Sequence, residues 1–282
     1  MAFSCGGGDG VPELPEVETT RRGISPLLEG RRVSTVNIRN PNLRQPIQIG
    51  LPQRLAGQKL QIVERRAKYL LFRFEVGTLI VHLGMSGSLR VTEPMTSFRK
   101  HDHVEIVFDS AFCLRLHDPR RFGLVLWTEE PPQRHPLLRY LGPEPWDERF
   151  NGDYLHTSAR RRRAAVKNFI MNNRIVVGVG NIYASEALHR AKVHPNRAAG
   201  RISNLRYNAI ALAVREVLKE AVDLGGTTLR DFVQSDGEPG YFRVQLRVYG
   251  RKGEPCACAN GVIRQVVIGQ RSSFYCPHCQ RY

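Results

Sequence analysis

Apolar and polar positions alternate through most of the first half of the chain. RRVSTVNIR, KLQIVERR, KYLLFRFE, TLIVHLG, GSLRVT, HVEIVF, FCLRLH and FGLVLWT are short β-branched, aliphatic or aromatic runs, several with a two-residue period. Runs of this kind predict β-strands. Gly77, Gly84, Gly87, Asp109 and Ser110 separate them as turn residues. Eight such segments within about a hundred residues predict a β-sandwich or barrel.

Ahead of the strands, PELPEVETTRRGISPLLEG predicts a helix. Pro12 or Pro15 suits a first turn, and the glutamates suit the positive end of the helix dipole. Leu14, Val17, Ile24 and Leu28 fall near one face, while Gly23, Ser25 and Pro26 are expected to break or end the helix early. The period changes after LGPEPW. ARRRRAAVKNFIMNN, NIYASEALHRA and SNLRYNAIALAVREVLKEAVDLGG have helical spacing, and Gly225 and Gly226 end the last of them. A glycine-rich loop, SDGEPGYF, then leads to a predicted strand, QLRVYG, and to a cysteine-rich end. The pattern gives an α+β multidomain chain. Residues 1–11 form an extension, 12–135 a β-sandwich domain, 136–150 a linker, 151–240 a helical domain and 241–282 a small cysteine-rich hairpin.

Composition changes this picture in one respect. With 282 residues the chain can bury two cores, and its 41% hydrophobic and 24% charged residues are ordinary for a globular protein. A net charge of +16 is not. It favours a polyanionic partner, nucleic acid first and a membrane surface second, over a protein that is merely soluble and basic. No apolar run is long enough to span a bilayer, and the first ten residues lack the basic and apolar regions of a secretory signal.

Four of the six cysteines lie in the last thirty residues, as CAC at 256–258 and CPHC at 276–279. Two pairs flanking a hairpin-length insert suit a closed tetrahedral zinc site of Cys256, Cys258, Cys276 and Cys279, with His278 a spare donor. A module this small needs the metal for its folding energy. Cys113, in a strand, reads as a core residue, and Cys5 carries no readable role. Between the pairs, GVIRQVVIGQRSSFY alternates like a hairpin, with Arg271 near its turn as a natural phosphate contact. In VVGVGNIYASEAL, Asn181 is expected to cap a helix whose exposed N–H groups can hold a phosphate. DPRRFG and HLGMSGSLR place Phe122 and Met85 in loops, either as core residues or as wedges that enter a base stack.

PELPEVETTRRG, RRAKYL, HLGMSGSLR, KHDHV, DPRRFG, LGPEP, VVGVGNIYASE, GGTTLRDF, SDGEPGYF, VYGRKGEPC and QRSSFYCPHCQ together resemble, in family order, the bacterial formamidopyrimidine-DNA (8-oxoguanine-DNA) glycosylases. The resemblance runs from Pro12 to Arg281. It implies a β-sandwich, a helix–two-turns–helix domain and a zinc finger. It also implies a monomeric base-excision-repair enzyme of the bacterial cytoplasm and nucleoid, acting on double-stranded DNA with oxidised purines or abasic sites. Residue by residue it implies Pro12 as nucleophile, Glu13 as catalytic acid and Lys68 as proton donor. His82, Asn181 and Arg271 match phosphate contacts. Met85, Arg120 and Phe122 match the trio that fills the gap left by the flipped base, and Ser235 to Tyr241, with Gly240, match the lesion loop. Excision then proceeds through a Schiff base on Pro12, with β- and δ-elimination and one structural zinc.

Two features depart from the family's pattern. Its metal pairs are both C-x₂-C, whereas here Ala259 stands in the expected ligand position and Cys258 lies one residue earlier. A one-residue backbone adjustment is expected to let Cys258 serve. The second departure is the start. Joined to Val11, the Pro12 nitrogen is a tertiary amide without a nucleophilic lone pair. Residues 1–11 are therefore expected to be missing from the active enzyme. A protein that recognises damaged or abasic DNA without cutting it is the alternative if they are retained, and a zinc-finger transcription regulator is a more distant one.

Overall fold

The alternating segments all form strands. The computed structural model describes residues 12–109, 112–225 and 246–282, so the 1–11 extension and the lesion loop with Ser235, Gly240 and Tyr241 lie outside the described residues. β1 (Val33–Ile38), β2 (Leu60–Arg66), β3 (Tyr69–Phe74), β4 (Thr78–His82), β5 (Ser88–Thr92), β6 (Asp102–Phe108), β7 (Cys113–His117) and β8 (Leu124–Thr128) build two antiparallel sheets. Their orders are β1-β6-β7-β5 and β2-β3-β4-β8. Leu60, Val63, Leu70, Phe72 and Leu79 of one sheet share a core with Val36, Leu89, Val104, Ile106 and Leu114 of the other, so the sheets form a sandwich. Cys113 is buried in it, as its strand position implied.

Charge is also buried here. Arg115 on β7 lies opposite Glu105 on β6 and donates to its carboxylate at 2.6 Å, both side chains being essentially inaccessible. Asn37 on β1 donates to the other oxygen of Glu105, and the Arg115 guanidinium also reaches the carbonyls of Pro94 and Ser97. Asp102 accepts from Arg90, His117 and the backbone N–H of Arg99.

The helix α1 (Leu14–Leu28) runs through Pro26, although that proline was expected to end it. Pro26 removes one helical donor. The cost is offset because Val17, Ile24 and Leu28 are buried in the sandwich core. The short α2 (Leu51–Leu55) completes the elements of this part.

Among the described residues, 16–135 lie in one compact unit, and 136–225 with 246–282 in a second, to which Glu13–Pro15 belong. The second contains α3 (Gly152–Ala159), α4 (Val166–Ile170), α5 (Asn181–Arg190), α6 (Asn204–Gly225) and a hairpin of β9 (Arg264–Ile268) and β10 (Arg271–Tyr275). Phe150, Leu155, Phe169, Tyr183, Leu188, Tyr207 and Leu218 share its helical core.

Two expectations fail in this unit. ARRRRAAVKNFIMNN is not one helix, because α3 ends at Ala159 and α4 begins at Val166. Between them Arg161 takes a φ of +61° and Ala165 bridges Ala198, so the backbone follows an extended neighbour. QLRVYG is not a strand over its described residues. The N–H groups of Arg247, Val248 and Tyr249 all donate to the Glu186 carboxylate on α5, at 2.8–3.0 Å, leaving none for a ladder.

Candidate active site and metal centre

In the second unit the site begins at Glu13, whose side chain is only 3% exposed. Its carboxylate accepts from the backbone N–H of Gly180 at 2.8 Å and of Ile182 at 3.3 Å. These are N–H groups of the α5 N-terminus, which have no intrahelical partner. Glu13 therefore caps α5, and Asn181 does not. The residue at the N-cap position is Gly180, and no side-chain cap comes from the helix's own sequence. Two of the N–H groups expected to be open to a phosphate are occupied. A Cβ at Gly180 would overlap the Glu13 carboxylate, so glycine is required for this close approach.

Asn181, at the first position of α5, uses its side chain elsewhere. Its Oδ1 accepts from Lys167 Nζ at 2.6 Å, and its Nδ2 donates to the Tyr249 hydroxyl at 3.3 Å. Lys167 is fully buried and also donates to Ser272 O at 3.0 Å and Ser273 Oγ at 2.7 Å. It thus joins Asn181 to the strand that begins at Arg271. Burial, opposed by Glu13 and reinforced by Arg271, lowers the Lys167 pKa to about 8. The sequence reading missed this residue. Its only signal was a lysine followed by apolar residues within a basic run, which reads as a solvated face. Arg271 opens β10 and is exposed, after a two-residue turn in which Gly269 (φ +56°) and Gln270 (φ +63°) are both left-handed. That is the geometry of a tight hairpin turn, and it fixes the position of Arg271.

The first unit carries Lys68, His82, Met85, Arg120 and Phe122, and also Pro12, a half-buried residue next to Glu13 in sequence. Lys68 sits at the two-residue turn joining β2 to β3, after Ala67 at φ +55°. His82 ends β4 and lies against Tyr69, with ring centroids 4.8 Å apart. Burial, with the charges of Lys68 and Arg44, lowers the His82 pKa to about 4. The imidazole is therefore neutral near pH 7. Its Nδ1 accepts from the Gly84 N–H at 2.9 Å, so its Nε2 carries the proton and is a donor. Arg44, which no motif singled out, adds a second cationic side chain beside Lys68 in this group.

Met85 and Phe122 are 37% and 43% exposed, so both are wedge candidates and neither is core. Arg120 lies over the Phe122 ring, 5.2 Å from its centroid. The backbone of Gly84 packs so closely on Phe122 that a Cβ there would overlap it. The fully buried Asp118 ties the two loops together. It accepts from Ser86 Oγ at 3.0 Å and from the Gly123 N–H at 2.8 Å, and Ser86 Oγ accepts from the Arg120 N–H at 3.3 Å. The structure thus brings Met85, Arg120 and Phe122 together.

The four cysteine sulfurs of residues 256, 258, 276 and 279 lie within 4.8 Å of one another. Cys258 is 3.8 Å from Cys276, and Cys256 is 3.9 Å from Cys279. Tetrahedral zinc with Zn–S bonds of about 2.3 Å needs sulfurs about 3.8 Å apart, so the set fits that metal. The displaced cysteine reaches the cluster because Ala259 adopts a φ of +58°. The Asn260 N–H donates to Cys258 and holds its thiol down at about 7, whereas burial raises Cys256 and Cys279. Four ionised thiols packed this closely require a cation. His278 is not in the cluster.

Comparison with known proteins places these features in one family. Residues 11–125 match the formamidopyrimidine-DNA glycosylase N-terminal domain, 141–233 the formamidopyrimidine-DNA glycosylase H2TH domain and 261–281 the zinc finger found in FPG and IleRS. The chain is 57% identical to the formamidopyrimidine-DNA glycosylase of Methylococcus capsulatus over 271 residues, covering 96% of this chain and 100% of the relative. It is 56% identical to the enzyme of Thioalkalivibrio sulfidiphilus with the same coverage. Among solved structures, Lactococcus lactis formamidopyrimidine-DNA glycosylase bound to DNA containing an abasic site superposes with a TM-score of 0.84 at 29% identity. Its complex with Fapy-dG containing DNA superposes at 0.85 and 29%. Each covers 96% of this chain and 100% of the other.

Proposed function

The chain belongs to the formamidopyrimidine-DNA glycosylase family, and from that membership we propose how its residues divide the work of excision. It is a base-excision-repair DNA glycosylase for oxidised purines, with the AP lyase activity typical of the family, and DNA carrying such lesions or abasic sites is its partner. One zinc, held by Cys256, Cys258, Cys276 and Cys279, stabilises the hairpin that presents Arg271. No helix among the described residues is long and apolar enough to cross a membrane. We assign its work to the cytoplasm, at the nucleoid, where its substrate is.

Residues 12–135 supply the catalytic domain, 136–150 the linker, 151–240 the helical DNA grip and 241–282 the zinc hairpin. The lesion is turned out of the helix, at a cost of a few kcal/mol. Met85, Arg120 and Phe122 occupy the vacated stack and offset that cost. The neutral Nε2–H of His82, the second N–H of Asn181 Nδ2 and the Arg271 guanidinium hold the backbone phosphates. Ser235, Gly240 and Tyr241 are assigned to the extruded base.

The Pro12 nitrogen attacks C1′, and the base leaves with the bonding pair. Glu13 assists as the C1′–O4′ bond breaks and O4′ takes a proton, giving an iminium on the proline nitrogen. The iminium acidifies C2′–H. Loss of that proton expels the 3′ phosphate, and a second elimination expels the 5′ phosphate. Lys68 is the proton donor. The observation that carries this assignment is the aimed carboxylate. Glu13, covalently next to Pro12, is held by two backbone N–H groups, and its companion Lys167 leads to Asn181.

A secondary amine is required, so the active chain begins at Pro12. Incision of an 8-oxoguanine duplex by chains with and without residues 1–11 tests this. The chain starting at Pro12 leaves a one-nucleotide gap with phosphate at both ends, and the extended chain binds the duplex uncut. Equal incision by a chain that retains the extension throughout the reaction overturns the assignment, and failure of both chains to cut leaves a damage-binding protein.

A further inference from the structure

We propose that His189 is a hydrogen-bond donor to the zinc thiolates, through Nε2–H to Cys256 Sγ, and that it strengthens zinc retention in a site whose second cysteine is displaced. His189 lies in the last turn of α5 with its side chain buried, and its Nε2 is 3.4 Å from Cys256 Sγ. Its Nδ1 is buried and has no hydrogen-bond partner among the described residues.

These two facts select a tautomer. With the proton on Nδ1, a buried N–H would be orphaned and the Nε2 lone pair would face the lone pairs of sulfur. Leaving such a buried donor unpaired carries its full desolvation cost. With the proton on Nε2, the donor meets the sulfur and only a lone pair is left unpaired at Nδ1. A thiolate accepts this bond more strongly than a thiol, because the acceptor is then charged. The preference is therefore strongest when Cys256 is ligating.

The chemistry of the donor set gives the bond its purpose. Four thiolates on one Zn²⁺ carry a net charge of about −2 in a half-buried cluster. Each N–H directed at a sulfur spreads that charge. Cys256 also accepts from the Cys258 N–H, and Cys258 accepts from the Asn260 N–H. His189 is a side-chain donor from α5 added to these loop donors. The loop needs the support, because its C-x-C spacing is accommodated with Ala259 at a φ of +58°, in the left-handed region that is disfavoured for a residue with a Cβ. Donors outside the ligand set change metal affinity by about 10–100-fold in general.

Zinc competition against a chromophoric chelator, on the full zinc-loaded chain, tests the proposal. His189→Phe keeps an aromatic ring and removes the donor, and it is expected to weaken zinc retention by about 10-fold or more. His189→Gln keeps an N–H and is expected to recover most of the loss. Cadmium substitution with NMR on the unaltered chain reads the bond directly, including where the phenylalanine variant does not fold. The expected signature is a protonated Nε2 whose hydrogen couples weakly to the metal through Cys256. Retention within twofold of the unaltered protein in folded His189→Phe overturns the proposal. So does a protonated Nδ1, or a direct metal–nitrogen coupling that would make His189 a ligand.

Discussion

A carboxylate that assists at a sugar carbon has to be aimed before substrate arrives, and Glu13 is aimed by a helix terminus. The dependence is testable at one atom. Gly180→Ala places a methyl group where the Glu13 carboxylate lies, and the flexible glutamate is what yields. Single-turnover excision is expected to fall on the order of 100-fold, as for other displacements of about 1 Å, with affinity for abasic-site DNA retained. Unchanged excision in a folded variant would contradict the assignment. His82 adds a pH statement. Its folded pKa of about 4 lies below its ordinary 6.5, so protonation favours the unfolded chain. The neutral ring's contribution is complete above the unfolded value and is lost as pH falls through about 6.5 toward 4. DNA binding measured around neutral pH is expected to show no titration from His82.

Part of the placement was legible at this scale, since Met85 and Phe122 lie in the loops that their glycine-containing motifs implied. The capping expectation for Asn181 failed because the group that caps the helix, Glu13, lies 167 residues from Gly180 in sequence. Lys167 was invisible for the same reason. Its partners Asn181, Ser272 and Ser273 lie in two other segments, and no periodicity within one segment encodes a buried ammonium.

Elements tell the same story by period. Eight strands were readable because each is a short β-branched, aliphatic or aromatic run bounded by turn residues, but only β2-β3, β3-β4 and β6-β7 pair as sequence neighbours, and β1-β6, β5-β7 and β4-β8 pair across the sequence. The segment 246–250 has strand composition, yet a carboxylate from α5 takes its donors. Pro26 shows the converse, a local breaker overruled by burial of the helix around it. The tie between β5, β6 and β7 at Asp102 makes a prediction at this scale. Burial alone would raise that carboxyl, but His117, the Arg99 N–H and Arg90 outweigh it and hold the pKa at about 2, below the ordinary 3.8. A depressed acid stabilises the fold above its unfolded pKa and loses that contribution as pH falls through the folded value. Asp102→Asn is therefore expected to be less stable than the unaltered chain near neutral pH, with the difference shrinking between about pH 4 and 2 in acid-unfolding curves. A constant difference across that range would contradict it.

For the whole molecule, a charge of +16 and a match to formamidopyrimidine-DNA glycosylases along their full length agree on DNA as the partner. The chemistry then rests on one nitrogen. In the proposed mechanism Glu13, Lys68 and the phosphate-holding residues serve a Schiff base that only a free amine at Pro12 can form. Borohydride trapping on an 8-oxoguanine duplex, followed by peptide mass spectrometry of the adduct, tests this most directly. The predicted result is a covalent sugar adduct on the nitrogen of Pro12, in a chain whose first residue is Pro12. An adduct on Lys68, or on a chain that still carries residues 1–11, would contradict it.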